Sequence, residues 1–497
     1  MKVLTTSLFQ PSSLPTPAVL GVCARLAVAG VLVLAAGPAG ATGFFDPQVQ
    51  FTSLTVVARD AKTATIRFDV TWESSWRHEL SHDAAWVFFK ARANESAGWQ
   101  HVRLAADRVL NPAGYGQERS PVPPPPKESR LRYHLPGRPD DGKPGGVERS
   151  RDFFETESID TQLEFLVPRG EDGFTGVFLQ RVGNGAGTVV ARGVTVVWDL
   201  TAAKGISDPA KAQLMGFGVE MVYVAEGPFY LGTGGEEPYS FYTYSDESLK
   251  IQPYRVTGPG AIPTGQKVGS LWARGGAQPE DGGDIPAAFP NGYAAFYCMK
   301  KHITPRRYAE FLRMLTPEQS DARYPPAGAK VDWQVKRDGT APNYTYAWSH
   351  GGPRAGPGMH RLSWADGAAW AAWCGLRPMT ELEIEKVVRG PREPIPGECG
   401  PSYWDAAAFE TIQWNSIKGW ETSGERAVTV GNAEGRKFKG THGNGTVALP
   451  PDWPQDDAVG AGIRCQGLDN APASDRLRAA EVNPDRVCKF RAVRTAP

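Results

Sequence analysis

The segment TATIRFDVTW at residues 63–72 alternates apolar and polar side chains without a break. Ile66 and Phe68 occupy one set of alternate positions, and Arg67 and Asp69 occupy the other. Successive side chains of a β-strand point to opposite faces, so this spacing predicts a strand with one face in a core and the other in water. Such a strand needs neighbouring strands to complete a stable sheet.

Further segments of the same kind follow in the first two hundred residues. Strands are predicted in DAAWVFFKAR (83–92), GVFLQRV (176–182) and GVTVVWDL (193–200). The proline run in SPVPPPPKESR (120–130) must be extended and exposed. Repeated short strands with polar loops predict an antiparallel β-sandwich of the immunoglobulin type over residues 42–205.

The remaining part of the chain, residues 206–497, mixes helical patterns with many loops. A first helix is predicted in RRYAEFLRML (306–315), and a second in SWADGAAWAAWCG (363–375). Ser363 and Asp366 can share the capping of the second helix at its start, and Gly375 can end it.

A third helix is predicted in RPMTELEIEKVVRGP, residues 377–391. Thr380 and Glu383 have the spacing of a capping box, in which each side chain binds the other residue's backbone N–H. We expect Glu381, Glu383 and Glu385 to offset the helix N-terminus and to form a solvated face. The helix is therefore predicted to support the fold and to carry no chemistry.

The N-terminus has the pattern of a secretory signal peptide. Arg25 precedes the apolar run LAVAGVLVLAA (26–36), and AGA (39–41) supplies small residues for cleavage. We predict a signal peptide over residues 1–41 and export to the periplasm, the cell surface or the extracellular space. No later apolar segment is long enough to span a bilayer, so no transmembrane segment is predicted in the mature chain.

The charge balance of the mature chain argues against nucleic acid as a partner. Cleavage removes Lys2 and Arg25 but no acidic residue, which leaves 52 basic side chains of the 54 in the full sequence against 54 acidic ones. A chain with this balance lacks the basic surplus that binds a phosphate backbone. The partners predicted instead are other proteins or further copies of the chain, and a glycan is an open alternative.

The mature chain would hold an odd number of cysteines, so at least one thiol is unpaired or bonded to another chain. They are Cys298, Cys374, Cys399, Cys465 and Cys488. Disulfides are permitted after export, and Cys465 with Cys488 is the candidate pair. The alternative is that the thiols are buried and act as small apolar side chains.

Four segments occur in an order that resembles one known family. They are EMVYVAEGPFYLG (220–232), FYCMKKHITPRRYAEFL (296–312), LSWADGAAWAAWCGLRPMTELEIEKVVRGP (362–391) and KFRAVRTAP (489–497). Residues 217–497 resemble the formylglycine-generating enzyme family, also called sulfatase-modifying factor domains. The resemblance implies a loop-rich fold related to C-type lectins for the domain at residues 206–497. With the sandwich, the predicted fold class is α+β.

The residues that carry the chemistry of this family are missing. Active members resemble copper-dependent oxidases and use two cysteines five residues apart. The corresponding positions of this chain hold Asn470 and Asp475, which cannot supply the thiolate that Cu(I) prefers. The Asn–Trp–Glu–Trp set of many members is also missing from ETSGERAVTVGN (421–432). We therefore predict no catalytic residue.

Loops before the last strand form a broad face in lectin-like folds of this kind, so the resemblance places a candidate binding face there. Arginine forks on such a face suit carboxylates and protein interfaces. The alternative is that the arginines pair internally with Asp475 and Asp485 and fix the loop geometry. The candidate residues are Asp469, Asn470, Asp475, Arg476, Arg478 and Arg486.

Two motifs bear on metal binding. HELSH (78–82) has the His-Glu-x-x-His spacing of zinc hydrolases, but strand-like alternation on both sides favours a hairpin loop. DGGDIP (281–286) offers oxygen ligands for a structural calcium ion, although its spacing is not that of an EF-hand. No other cofactor is predicted.

The sequence thus predicts an exported, non-catalytic binding or structural protein, a subunit of a cell-surface or extracellular assembly that could form filaments. One alternative is an oxidative metalloenzyme of the same family with an altered metal site. A second alternative is a lectin-like receptor for a glycan or another small ligand.

Overall fold

Antiparallel β-sheets with a few short helices make up the fold, which is β-rich α+β. The structure is a computed structural model and describes residues 49–77, 81–110, 163–168, 174–246, 251–275, 277–279, 283–326, 334–349, 361–398, 403–404, 424–464 and 472–497. The predicted signal peptide (1–41) and the proline run (120–130) lie outside the described residues.

The described residues form strands and helices with the following bounds. The strands are β1 (Val49–Ala58), β2 (Thr63–Arg77), β3 (Asp83–Arg92), β4 (Gln100–His101), β5 (Leu104–Leu110), β6 (Leu163–Leu166), β7 (Val177–Arg181), β8 (Gly185–Asp199), β9 (Gln213–Val224), β10 (Phe229–Leu231), β11 (Phe241–Thr243), β12 (Tyr254–Val256), β13 (Leu271–Ala273), β14 (Phe296–Met299), β15 (Val335–Asp338), β16 (Thr345–Trp348), β17 (Arg377–Pro378), β18 (Glu425–Val428), β19 (Ala461–Arg464) and β20 (Ala492–Thr495). The helices are α1 (Pro305–Arg313), α2 (Pro317–Arg323), α3 (Trp364–Trp373), α4 (Glu381–Arg389) and α5 (Ala433–Arg436).

Two sheets contain most of the long strands. The first has four strands in the order β1-β2-β8-β5, and the second has eight, in the order β17-β20-β14-β9-β3-β7-β6 with β4 beside β3. The alternation that predicted β2 is confirmed, because Ile66 and Phe68 are buried while Arg67 is exposed. Shorter pairs of strands, such as β18 with β19, lie outside these two sheets.

Strand β3 is buried on both of its faces. Val87 and Phe89 belong to an apolar core shared with β2 and β8 of the first sheet. Trp86 and Phe88 point the other way, into a second core shared with α1 and α3. The second sheet is therefore the middle layer, with the first sheet on one side and the helices and loops on the other.

The predicted boundary between residues 205 and 206 falls shortly before β9. Strand β9 pairs with the whole length of β3, from Val222 opposite Asp83 to Gln213 opposite Arg92. Strands from both predicted domains thus share the second sheet. The division into a domain at 42–205 and a domain at 206–497 stays a prediction.

The three predicted helices are present as α1, α3 and α4. Helix α3 begins with a capping box between Ser363 and Asp366, as predicted, and Gly375 follows it with a φ of +74°, a left-handed conformation that glycine adopts without strain. Among the described residues, no helix combines the length and the apolar character that crossing a membrane requires.

Candidate functional site

Helix α4 begins as the sequence predicts but is buried on every side. Thr380 Oγ1 accepts a hydrogen bond from the Glu383 N–H at 3.2 Å, and Glu383 Oε2 accepts one from the Thr380 N–H at 2.9 Å, which confirms the capping box. The predicted solvated face is wrong, because Glu381, Glu383 and Glu385 are each 1% exposed or less. Their carboxylates are bound by arginines, one of which is Arg377, 2.7 Å from Glu383.

The α4 charge cluster consists of Glu381, Glu385, Arg389, Arg464 and Arg476. Arg464 lies 3.1 Å from a Glu381 carboxylate oxygen and 2.9 Å from one of Glu385. Arg476 Nε is 2.8 Å from Glu381 Oε2, and Arg389 Nη1 is 3.2 Å from Glu385 Oε2. Charges buried this deeply persist only when they are paired and hydrogen-bonded, and these five are both.

The charges of this cluster are close to balance. Burial alone would raise the pKa of Glu381, but the charges of Arg476 and Arg464 hold it below its ordinary value. Glu398 accepts a hydrogen bond from Arg389 Nε, so three carboxylates face three guanidinium groups. Glu381 is therefore held ionised as an acceptor for the two guanidinium groups.

The cluster also ties a distant segment to α4. Arg464 donates to the carbonyl oxygens of Ala473 and Asp475 at 2.8 and 3.0 Å, and Ser474 Oγ donates to Glu385 at 3.1 Å. Residues 472–476, where candidate binding residues were predicted, are thus fixed against the helix. The hydrogen bonds and ion pairs of the cluster thus hold the loop at residues 472–476 in place against α4.

Two of the six candidate binding residues lie in this segment and are buried. Arg476 donates to the carbonyl of Tyr239 at 2.9 Å, and its guanidinium carbon lies 3.7 Å from the ring centre of Phe241. Asp475 is 6% exposed and accepts a hydrogen bond from the Leu477 N–H, and burial raises its pKa. Arg476 thus pairs internally, although its partner is Glu381 and not the predicted Asp475.

The other candidates are dispersed. Arg478 forms an ion pair with Glu481 on the surface. Arg486 Nε lies 2.8 Å from Asp366 at the start of α3. Asp469 and Asn470 lie outside the described residues. The structure therefore brings Asp475 and Arg476 together beside α4 and places Arg478 and Arg486 at separate contacts.

Three cysteines are described, namely Cys298, Cys374 and Cys488, which are buried and form no disulfide with one another. Burial raises the pKa of Cys298 to about 12, and it raises those of Cys374 and Cys488 as well. Cys399 and Cys465 lie outside the described residues. The pairing of Cys465 with Cys488 stays a prediction.

The thiols of Cys298 and Cys374 are expected to resist alkylation in the folded protein. A buried thiol with a raised pKa has little thiolate, which is the reactive form. At pH 8, labelling with iodoacetamide should be slower than in guanidinium chloride by on the order of 100-fold or more at each site. Peptide mapping by mass spectrometry measures each cysteine separately, and rapid native labelling of Cys298 would contradict its burial.

In the two motifs considered as metal sites, HELSH and DGGDIP, the described residues make contacts within the protein. His82, the last residue of HELSH, forms an isolated antiparallel β-bridge with Arg77, and the hairpin loop stays a prediction. His78 and Glu79 lie outside the described residues. In DGGDIP, Asp284 accepts a hydrogen bond from the Thr264 N–H at 2.9 Å, and Asp281 is not described. The described part of the chain holds no cluster of three or more His, Cys, Asp or Glu side chains arranged for a metal ion.

Sequence reasoning missed the partners of the α4 acids. Arg389 lies four residues after Glu385, a helical spacing at which opposite charges meet, so this pair could have been found. Arg464 comes from β19, and no local pattern connects it with α4.

The fold and these contacts define a β-rich α+β protein with an ionic cluster buried beside helix α4. No protein-family model matches the chain, and no curated protein sequence matches it either.

Proposed function

We propose that the protein is an exported, non-catalytic binding or structural protein, a subunit of a cell-surface or extracellular assembly that can be filamentous. In this proposal the chain combines an immunoglobulin-like sandwich at 42–205 with a degenerate formylglycine-generating-enzyme-like domain at 206–497. Its partners are other proteins or further copies of the chain.

The observation that carries the proposal concerns Asp475, which stands where the resemblance places the second copper-binding cysteine. Its carboxylate is buried, and both of its neighbours are bound to α4. Ser474 donates to Glu385, and Arg476 pairs with Glu381. A segment fixed to α4 by a hydrogen bond on one side of the substituted position and by an ion pair on the other supports a scaffolding role for this region.

The layered architecture supports assembly. The first sheet and the helical layer lie on opposite sides of the second sheet, so a subunit presents two different faces. When one face of a subunit binds the other face of the next and the contact does not close into a ring, a filament results.

Sedimentation velocity of the mature protein tests the proposal. Between about 1 and 100 µM we expect species larger than a monomer whose fraction grows with concentration, because association follows mass action. A constant monomer over this range, together with no protein partner in pull-downs, would contradict the proposal.

Elemental analysis of the same samples separates the proposal from an oxidative metalloenzyme. Copper, iron or zinc at about one atom per chain would support the enzyme and count against a non-catalytic role.

A further inference from the structure

The guanidinium of Arg426 in β18 is buried with most of its donors unused. The side chain is 0% exposed, and Nη2 donates to the carbonyl oxygen of Asp485 at 3.0 Å. Nε and Nη1 are equally buried and have no hydrogen-bond partner among the described residues. By contrast, Arg464 donates through all three of its nitrogens. An unsatisfied buried donor is costly, and on a charged group more so, which points to a missing acceptor.

Charged groups of both signs surround Arg426. Burial is the main cause that lowers its pKa, and the positive charge of Arg478 lowers it further. Cys488, Glu481 and Asp485 act in the opposite direction. A bound anion would supply the acceptor that Nε and Nη1 of Arg426 lack.

Arg426 lies directly beneath the surface segment 477–486. It pairs with Ile463 across β18 and β19, and the Ile463 N–H donates to the carbonyl of Arg478 at 3.0 Å. Arg426 and Arg478 are thus on either side of Ile463 in one row of backbone contacts. The Arg478 side chain is 24% exposed, and it is held by Glu481, which is itself exposed.

We propose that Arg426 and Arg478 form a binding site for a carboxylate. Guanidinium donors match carboxylate oxygens in geometry and charge. The contact with Glu481 shows that Arg478 can bind a carboxylate, because Arg478 donates a hydrogen bond to the Glu481 carboxylate at the surface. An external carboxylate replaces Glu481 on Arg478 and accepts from the free donors of Arg426. This site does not depend on the proposed assembly.

Thermal unfolding of the protein in sodium acetate tests the site, with sodium chloride of equal ionic strength as the reference. Acetate is expected to raise the Tm of the wild type by about 1 °C or more, in a saturating manner, because a ligand that binds only the folded state stabilises it. Arg426→Met should abolish the shift. Arg192→Met removes an exposed arginine of β8 and should retain it.

Equal Tm values of the wild type in the two salts would overturn the proposal, and so would an acetate shift that survives in Arg426→Met. Should Arg426→Met fail to fold, the partly exposed Arg478→Gln replaces it. This variant should need about tenfold more acetate for half of the shift, and an unchanged requirement would overturn the proposal.

The source of the carboxylate is separated by a second probe, the peptide acetyl-Gly-Glu-Leu-Gly-amide. Leu477 and Val482 belong to the same surface segment, are 52% and 48% exposed, and offer apolar contacts to a protein segment. If the natural carboxylate belongs to a protein, the peptide acts at lower concentration than acetate and Leu477→Ser removes this advantage. If it belongs to a small molecule, peptide and acetate act at similar concentrations. In either case the site stands.

Discussion

Replacing Arg464 with methionine is expected to lower the free energy of unfolding by about 3–5 kcal/mol. The side chain is 0% exposed and pairs with both Glu381 and Glu385, so its loss leaves carboxylates buried with too few cations. It also removes the hydrogen bonds to the carbonyls of Ala473 and Asp475. Urea denaturation followed by tryptophan fluorescence measures the change.

The matched control is Lys437→Met, which breaks the ion pair with Glu434 on the surface. Both side chains of that pair are more than half exposed, at 64% and 51%, so the expected change is below about 1 kcal/mol. If uncompensated charge causes the loss at Arg464, adding Glu385→Gln to Arg464→Met should restore part of the stability. Equal effects of Arg464→Met and Lys437→Met would show that the α4 charge cluster does not stabilise the fold.

Replacing Asp83 with asparagine is expected to change how stability depends on pH. Asp83 in β3 is fully buried, and burial is the main cause that raises its pKa to about 8. Lys300, whose Nζ is 3.8 Å from Oδ2, and Arg181 oppose this increase, while Glu220 adds to it. The carboxyl is therefore protonated in the folded protein at pH values where the unfolded chain has already ionised it.

Because the folded pKa lies above the unfolded one, the stability that Asp83 contributes is full below about pH 4 and is lost as pH rises towards 8. Asparagine is uncharged and keeps an oxygen that can accept from the Trp76 N–H, as Asp83 does at 2.8 Å. Asp83→Asn should therefore match the wild type near pH 4 and exceed it by on the order of 5 kcal/mol above pH 8.

The measurement is the free energy of unfolding of both proteins from pH 4 to pH 9. Asp60→Asn is the control, because Asp60 is exposed and its pKa is lowered by hydrogen bonds from Thr63 and Lys62, so this change should add no pH dependence above pH 5. A constant difference between Asp83→Asn and the wild type would contradict the raised pKa.

Local patterns predicted the elements well where one face is apolar. The alternation around Phe68 gave β2, and the spacing of Thr380 and Glu383 gave the start of α4. They failed on the environment of α4, because the side that carries Glu381 and Glu385 is covered by Arg464 and Arg476 from remote segments. The sequence pattern of a helix shows which of its faces is polar, but it does not show which remote residues pack against that face.

The candidate site was predictable only in part for the same reason. The internal pairing of the arginines was foreseen as an alternative, but its partners were not. For Arg486 the partner is Asp366, at the start of another helix. Which of two charged residues becomes buried depends on packing between distant elements, and spacing along the chain does not record it.

The second sheet can be completed only after most of the chain has been synthesised. Its neighbours come from widely separated parts of the sequence: Ala85 lies opposite Glu220, and Cys298 lies opposite Val493. Each pairing requires a long loop to close, and the chain loses conformational entropy before the new contacts can offset that loss. Such pairings give the fold a high contact order, so slow folding is expected. During synthesis β14 leaves the ribosome long before β20, so the growing chain must keep an incomplete, aggregation-prone edge shielded until the late strand arrives.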